Sequence, residues 1–273
     1  MLQTGNTDAK ADGRLLSPED PAPFEIVNGD GASRVVLLCE HAGRTVPHRL
    51  GDLGIPESEF ERHIAYDIGA EGVARGLSAA LDAPLVLQRY SRLVVDCNRA
   101  FDSADCMPEI SDTTAIPGNG TLSRPDRLAR YEEIHVPFHR QVSRLLDRHG
   151  SQHRTALVSI HSFTPRLLKD GIERPWQIGL LFNRDDRLAR KLMAAIVGLD
   201  DTVKAAFNEP YTGNDLTDYA IPVHGEKRGI EHVLIEIRND LIADAAGQAR
   251  WAEFLAAAIG AAVSIKGEVE DAG

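Results

Sequence analysis

Cysteine is scarce in this 273-residue chain, which has three, at positions 39, 97 and 106. Three widely separated thiols are too few for a disulfide framework and lack the close spacing of a thiolate zinc site. A hydrophobic core must therefore stabilise the fold, and the length and the 43% hydrophobic residues are sufficient for one.

Long apolar runs and basic clusters are also missing. No stretch approaches the roughly 20 apolar residues of a membrane span, and the polar segment from Met1 to Asp20 lacks the apolar centre of a signal peptide. We therefore expect a cytoplasmic protein.

The net charge is −11, from 30 basic and 41 acidic residues, which disfavours nucleic acids and anionic membranes as partners. A small anionic substrate is compatible, because local arginines can outweigh the global charge.

Strand-like apolar segments alternate with segments of helical periodicity. Strands are predicted at 35–39, 85–88, 93–96, 156–160, 178–182 and 233–237, and helices at 67–81, 128–145, 187–197 and 249–265. Continuous apolar strands indicate a sheet covered on both faces. We predict an α/β fold, a three-layer α/β/α sandwich around a mixed, largely parallel sheet.

The chain shows no internal repeat and no linker that divides it. Residues 1–22 are predicted to be a loose polar lead, and residues 23–273 a single domain. Residues 102–123 and 208–213 are rich in turn-forming residues and are predicted to be loops. Pro137 is predicted to kink the helix that contains it.

Several predicted strands end in polar residues, at the place where open α/β sheets form their sites. The clusters are Glu40 with His41, Asp96 with Asn98 and Arg99, His161 with Ser162, and Glu236 with Arg238. We therefore expect these side chains to converge on one cleft.

His41 and His161 are candidate metal ligands, because imidazole nitrogens combined with a carboxylate oxygen suit zinc. The alternative is that each histidine only binds the backbone at a strand end. The third ligand is either Glu40 or Asp67. Adjacent strand residues point to opposite faces, so Glu40 and His41 share a metal only if the strand has ended. These residues do not decide between the two carboxylates.

Arg92, Asn98 and Arg99 are suited to holding a substrate carboxylate. A guanidinium group binds a carboxylate through two parallel hydrogen bonds, and an amide adds a directed donor. The alternative for the arginines is a salt bridge to Asp96 or Asp102.

Glu236 lies in the middle of an apolar strand. A carboxylate there must be paired, or its pKa must rise, because loss of its water shell is costly. Such carboxylates serve as general acids and bases.

Cys39 is predicted to be a buried, inert thiol, and the spacing of His135 and His139 on an apolar helix stripe indicates a mainly structural pair.

These clusters, in this order, resemble the N-formylglutamate amidohydrolase family. The resemblance runs from about residue 35 to residue 243. The segments that carry it are 39–43 with 46–47, 67–70, 91–99, 116–119, 160–163, 208–213 and 235–241. At fold level the family resembles zinc carboxypeptidases and aspartoacylases.

The resemblance implies a function and a set of roles. His41 and His161 would bind a metal, Asn98 and Arg99 would hold a substrate carboxylate, and Glu236 would activate water. With Asp67 as the third ligand of a zinc ion, we expect hydrolysis of a small anionic N-acyl amino acid such as N-formylglutamate. The segment Glu40–Gly43 differs from the family's pattern, so the substrate need not be N-formylglutamate itself. The alternative function is a non-catalytic carboxylate-binding protein of the same fold.

Overall fold

The computed structural model describes residues 14–150 and 155–264. Strands and helices alternate along these residues. The strands are β1 (Phe24–Val27), β2 (Val35–Cys39), β3 (Leu85–Gln88), β4 (Ile110–Ser111), β5 (Thr114–Ala115), β6 (Ala156–Phe163), β7 (Ile178–Leu181), β8 (Ala205–Phe207) and β9 (Glu231–Arg238). The α-helices are α1 (Ala70–Leu81), α2 (Arg124–Arg130), α3 (Val136–Gly150), α4 (Arg187–Leu199) and α5 (Ala245–Ser264).

The strands other than β4 and β5 form one mixed sheet in the order β1-β3-β2-β6-β9-β7-β8. Its centre, β3-β2-β6-β9, is parallel, whereas β1 and β7 run antiparallel to their neighbours β3 and β9. The parallel centre is significant because the carboxyl ends of β2, β6 and β9 then lie side by side at one edge.

Alternate residues of the central strands face two separate apolar cores. In β2, Val35, Leu37 and Cys39 pack with α1, α4 and α5, whereas Val36 and Leu38 pack with α3 on the other face. The strand is therefore apolar throughout because both of its faces are covered. The predicted three-layer α/β/α sandwich around a mixed, largely parallel sheet is confirmed.

The strong apolar strands and the four long helices occur near their predicted positions. The helix predicted from residue 67 begins three residues later, at Ala70, after Gly69 with φ +80°. Two short strands at the sheet edges, β1 and β8, were not predicted, because their half-buried side chains lack a continuous apolar run. Residue 265 of the last predicted helix lies outside the described residues.

The strand predicted at 93–96 is wrong, because this segment forms turns. Its backbone groups bind partners other than a neighbouring strand. The Leu93 carbonyl accepts a hydrogen bond from Asn119 Nδ2 (2.9 Å), and the Val94 carbonyl accepts one from Arg130 Nη1 (3.1 Å). The segment is apolar because it is buried in the α3-side core, and burial alone does not distinguish a strand from a packed turn.

The helix around Pro137 is interrupted. A π-helical turn, Tyr131–His135, separates α2 from α3, and Pro137 is the second residue of α3. Proline has no backbone N–H and cannot continue the regular hydrogen-bond pattern, and π geometry occurs mostly as single turns of this kind within α-helices. The predicted kink stays a prediction.

Residues 1–13 of the predicted lead lie outside the described part of the chain. In the remainder, the backbone N–H groups of Leu15 and Leu16 donate to the Glu133 carboxylate, and the Pro21 carbonyl accepts from Tyr90. The division into a lead and one domain stays a prediction. Among the described residues, no helix combines the length and apolar character needed to cross a membrane.

Candidate metal and catalytic site

His41 is the second residue beyond β2, and its ring is held at both nitrogens. Nε2 lies 2.7 Å from Asp96 Oδ1, and Nδ1 lies 3.3 Å from Asp67 Oδ2. Asp67 is positioned by the turn before α1, where its backbone N–H donates to the His41 carbonyl (2.9 Å). A local backbone contact therefore brings together two residues that are 26 positions apart.

His161 projects from β6 beside His41, and its ring is also held by a carboxylate at each nitrogen. Its Nδ1 lies 2.9 Å from Asp67 Oδ2, and its Nε2 lies 3.0 Å from Glu40 Oε2. Ser159, two residues earlier on the same face of β6, donates its hydroxyl to Glu40 Oε2 at 2.5 Å. Each histidine thus uses Nε2 to bind one carboxylate and directs Nδ1 to the shared carboxylate of Asp67.

The side chains of His41, Asp67 and His161 form a candidate cation site. One donor atom from each lies within 4.8 Å of the others, and all three residues are buried. Histidine ligands of metals characteristically donate their second ring N–H to a carboxylate, which fixes the ring and its tautomer. Asp96 and Glu40 are in position to do this for His41 and His161. The structure thus places Asp67, and not Glu40, at the Nδ1 atoms of both histidines.

The charge of this buried cluster fits a divalent cation. The cluster contains the carboxylates of Glu40, Asp67 and Asp96. The guanidinium group of Arg92 pairs with Asp67 and Asp96, so two negative charges remain when the histidines are neutral. Burial by itself lowers the pKa of His161, but Glu40 and Asp67 outweigh it and raise that pKa well above its usual value. The negative potential that retains a proton there would also attract a metal ion.

Glu236 lies next to this cluster on the neighbouring strand. In the β6–β9 pairing it is directly opposite His161. The residue is 7% exposed, and its Oε2 atom has no hydrogen-bond partner among the described residues. Burial raises the pKa of this carboxyl to about 8, with a further contribution from the charge of Asp67 and an opposing one from His161. A carboxyl with one unpartnered oxygen facing a cleft is free to exchange a proton with a bound molecule.

Arg92 and Asn98 line the same cleft but are engaged with protein groups. Arg92 donates from Nη2 to Asp96 (2.8 Å) and from Nη1 to Asp67 (3.3 Å). Asn98 Oδ1 accepts the backbone N–H groups of Tyr219 and Ala220, and its Nδ2 donates to Asp218 at 3.1 Å. Asn98 therefore connects the turn at 96–99 to the segment at 214–220 and keeps one amide N–H free for a ligand.

Arg99 has most of its donors available. It donates from Nη1 to the neighbouring Asn98 carbonyl (3.0 Å), whereas its Nε is buried and has no partner in the part of the chain that the structure describes. Of the arginines predicted to contact the substrate, Arg99 is therefore better suited than Arg92 to receive a carboxylate.

All seven predicted site residues line one cavity of about 620 Å³. They are His41, Asp67, Arg92, Asn98, Arg99, His161 and Glu236. Cys39, by contrast, is fully buried beneath the site, and burial raises the pKa of its thiol well above the usual range, so it is unsuited to act as a nucleophile.

Three buried histidines form a layer under the turn at 96–99 and support the site from behind. His135 Nε2 lies 3.0 Å from the Arg99 carbonyl, and His139 Nε2 lies 2.6 Å from the Cys97 carbonyl. His224 Nε2 lies 2.9 Å from His139 Nδ1. The predicted structural role of His135 and His139 agrees with these contacts, but His224 is 85 positions away and had no local signal.

These three histidines predict an acid-sensitive fold. Burial lowers the pKa of His135 to about 3 and of His224 to about 4, and it lowers that of His139 as well. Between pH 6.5 and 4.5 the unfolded chain therefore binds protons that the native chain does not. The free energy of unfolding should fall with pH in this window, by on the order of 3 kcal/mol for His224.

Urea unfolding of the wild type and of His224→Gln between pH 4.5 and 7 measures this effect. Glutamine can still donate to His139 but does not titrate, so the variant should lose less stability on acidification. Glu236, protonated in the native state below about pH 8, contributes the opposite slope in both proteins, and the comparison cancels it. Equal slopes for the two proteins would contradict the prediction.

Comparison with known proteins places the chain in a family. The model of the N-formylglutamate amidohydrolase family matches residues 33–243, and the chain belongs to this family. A crystal structure of the gene product Atu2144 from Agrobacterium tumefaciens is similar at 38% identity and TM-score 0.87, covering 92% of this chain and 98% of that one.

An N-formylglutamate amidohydrolase from Ralstonia eutropha has a similar fold, with TM-score 0.63 at 16% identity, over 89% of this chain and 98% of that one. A search among curated proteins gives no match. The family resemblance inferred from the motifs is thus confirmed.

Proposed function

We propose that this chain is a metal-dependent amidohydrolase that cleaves the amide bond of a small N-acyl amino acid of the N-formyl type. The observation that carries the proposal is the unpartnered carboxyl oxygen of Glu236 beside the buried His41, Asp67 and His161 cluster. Membership of an amidohydrolase family supports it. Two imidazoles and one carboxylate, with a cleft on the open side, are a donor set typical of catalytic zinc.

Each residue of the site would have a distinct role in amide hydrolysis. A zinc ion bound by His41, Asp67 and His161 would polarise the amide carbonyl and acidify a water molecule. Glu236 would accept a proton from the attacking water and transfer it to the departing nitrogen, so that an amine and a carboxylic acid are released. Burial raises the pKa of Glu236 and a cation bound beside it would lower the pKa, so the carboxyl could gain and lose a proton near neutral pH.

Substrate orientation would come from the turn at 96–99. Arg99 would bind the substrate carboxylate through its free guanidinium donors, and the remaining amide N–H of Asn98 would add a directed hydrogen bond. Arg92, which also lines the cavity, stays a predicted substrate contact, and it holds Asp67 and Asp96 in place. The turn is held by His135 and His139, so the carboxylate contact is built on a rigid support.

An activity assay with metal removal tests the proposal. Purified protein should release free amine from an N-formyl amino acid, with less than about 1% of the activity left after treatment with a zinc chelator and recovery when zinc is restored. Full activity in metal-free protein would overturn the metal dependence. Tight binding of N-acyl amino acids without turnover, in fully metallated protein, would instead identify a non-catalytic carboxylate-binding protein.

A further inference from the structure

Exposed apolar side chains are concentrated around the mouth of the catalytic cavity. Among the described residues, eight large apolar or aromatic side chains are exposed, and four of them lie within three segments that line the cavity. We call these four the apolar rim: Ile110, Leu168, Tyr211 and Leu216. Ile110 (68% exposed) and Tyr211 (41% exposed) also line the cavity itself. Isolated exposed apolar residues are ordinary, but a group at the entrance of a cleft indicates a binding surface.

The three segments of the rim are tied to one another. The carboxylate of Asp112, at the tip of the β4–β5 hairpin, accepts the backbone N–H groups of Leu168 (3.2 Å) and Lys169 (3.0 Å). Arg174 lies over the ring of Tyr211 at 5.0 Å and donates to its hydroxyl (3.0 Å). These hydrogen bonds therefore hold the segments of the apolar rim together at the cavity entrance.

The charges in the cavity wall favour a ligand with one carboxylate. The lining includes the carboxyl groups of six residues, Asp67, Asp96, Asp105, Asp112, Asp218 and Glu236. The cations of the described wall are Arg92, Arg99 and Lys169, and Arg92 is bound to Asp67 and Asp96. Among the arginines and lysines of the described wall, Arg99 is thus the interior group with donors available to a ligand, whereas Lys169 is exposed at the entrance. A second carboxylate in the interior would find no second unpaired guanidinium group there, which acts against dicarboxylates.

The size of the cavity leaves room for a longer chain. A cavity of 150 Å³ holds one benzene ring, so 620 Å³ has room for roughly 25 non-hydrogen atoms. An N-formyl amino acid with a short side chain would fill about a third of this space, so a longer side chain or acyl group fits as well.

We propose that the substrate is an N-acyl amino acid with a single carboxylate and an apolar chain that extends toward the apolar rim. This inference rests on the proposed function and narrows its substrate class. Arg99 binds the single carboxylate, the amide lies at Glu236 and the metal cluster, and the apolar chain lies against Ile110 and Tyr211. The apolar chain belongs either to the amino-acid side chain or to the acyl group.

Kinetics with a matched substrate series test this assignment. The zinc-loaded enzyme is assayed with N-formylglycine, N-formylleucine, N-formylglutamate and N-octanoylglycine. We expect kcat/KM for one of the two apolar substrates to exceed that for N-formylglutamate by about 10–100-fold. A preference for N-formylleucine assigns the apolar chain to the amino acid, and a preference for N-octanoylglycine assigns it to the acyl group.

Two variants connect the preference to the rim. Ile110→Ser should lower the ratio of kcat/KM between the preferred apolar substrate and N-formylglycine by about 5-fold. Val197→Ser, at an exposed apolar residue of α4 outside the cavity wall, should leave that ratio unchanged. Both positions are exposed, so neither substitution should disturb folding.

The possible failures are distinguishable. Preference for N-formylglutamate over both apolar substrates overturns this inference and leaves the proposed function intact, and loss of that preference in Lys169→Met would assign the second carboxylate to Lys169. An unchanged ratio in Ile110→Ser also overturns the role of the rim. Absence of hydrolysis with every substrate refutes the proposed function and the inference together.

Discussion

Glu236→Gln should lower kcat for amide hydrolysis by about 10²- to 10⁴-fold while the bound metal and the folded structure are retained. Glutamine has nearly the same shape and volume as glutamate but cannot accept a proton from water or deliver one to the departing nitrogen. Because Glu236 Oε2 has no protein partner in this structure, the substitution breaks no hydrogen bond of that atom. The expected loss is therefore chemical, and KM should change little.

The measurement is kcat and KM for wild type and Glu236→Gln at equal metal content, with unfolding midpoints for both. Glu253→Gln, which makes the same change at an exposed position of α5, is the matched control and should behave as wild type. Activity within a factor of about three of wild type in Glu236→Gln would show that another group performs the proton transfer.

Removal of Asp67 should have the largest effect on metal binding. In Asp67→Ala the metal retained after dialysis should fall to less than about a tenth of an equivalent, with hydrolysis lost in proportion, because the two histidines alone provide too few ligands.

Glu40→Gln should behave differently. It should keep a full equivalent at saturating metal but bind it about 10–100-fold more weakly, since Glu40 holds His161 through the nitrogen that faces away from Asp67.

Metal content by elemental analysis and affinity by chelator competition separate these two roles. Asp105→Ala removes an exposed carboxylate of the same cavity wall and should leave both quantities unchanged. The opposite result, in which Glu40→Gln loses the metal and Asp67→Ala retains it, would make Glu40 the ligand and Asp67 the orienting group.

The sequence around His41 does not determine whether Glu40 or Asp67 is the third metal ligand. β2 ends at Cys39, so strand alternation does not separate Glu40 from His41. The structure places the Glu40 carboxylate at Ser159 and at Nε2 of His161, the nitrogen that faces away from Asp67. That nitrogen belongs to a residue 121 positions away. The position of Asp67 depends on a turn closed by the His41 carbonyl. Neither contact could be read from spacing along the chain.

Arg92 illustrates a similar limit for charges. An arginine near a predicted cleft is compatible with a substrate contact or an internal ion pair, because a guanidinium group binds any carboxylate in reach. The fold brings Asp67 and Asp96 to Arg92, and it leaves Arg99, seven residues later, with an unpartnered Nε. Only the tertiary arrangement separates the two arginines.

The sequence by itself determined the central strands of the sheet, the covering helices and the identity of the polar residues at the strand ends. Apolar runs must be buried, and in parallel strands the residues that follow them meet at one edge. Tertiary structure alone decided which carboxylate faces the free histidine nitrogens, that the segment at 93–96 is a turn, and that the cavity opens onto an apolar rim. Each of these depends on contacts between residues far apart in the chain, and such contacts leave no periodic signal in the sequence.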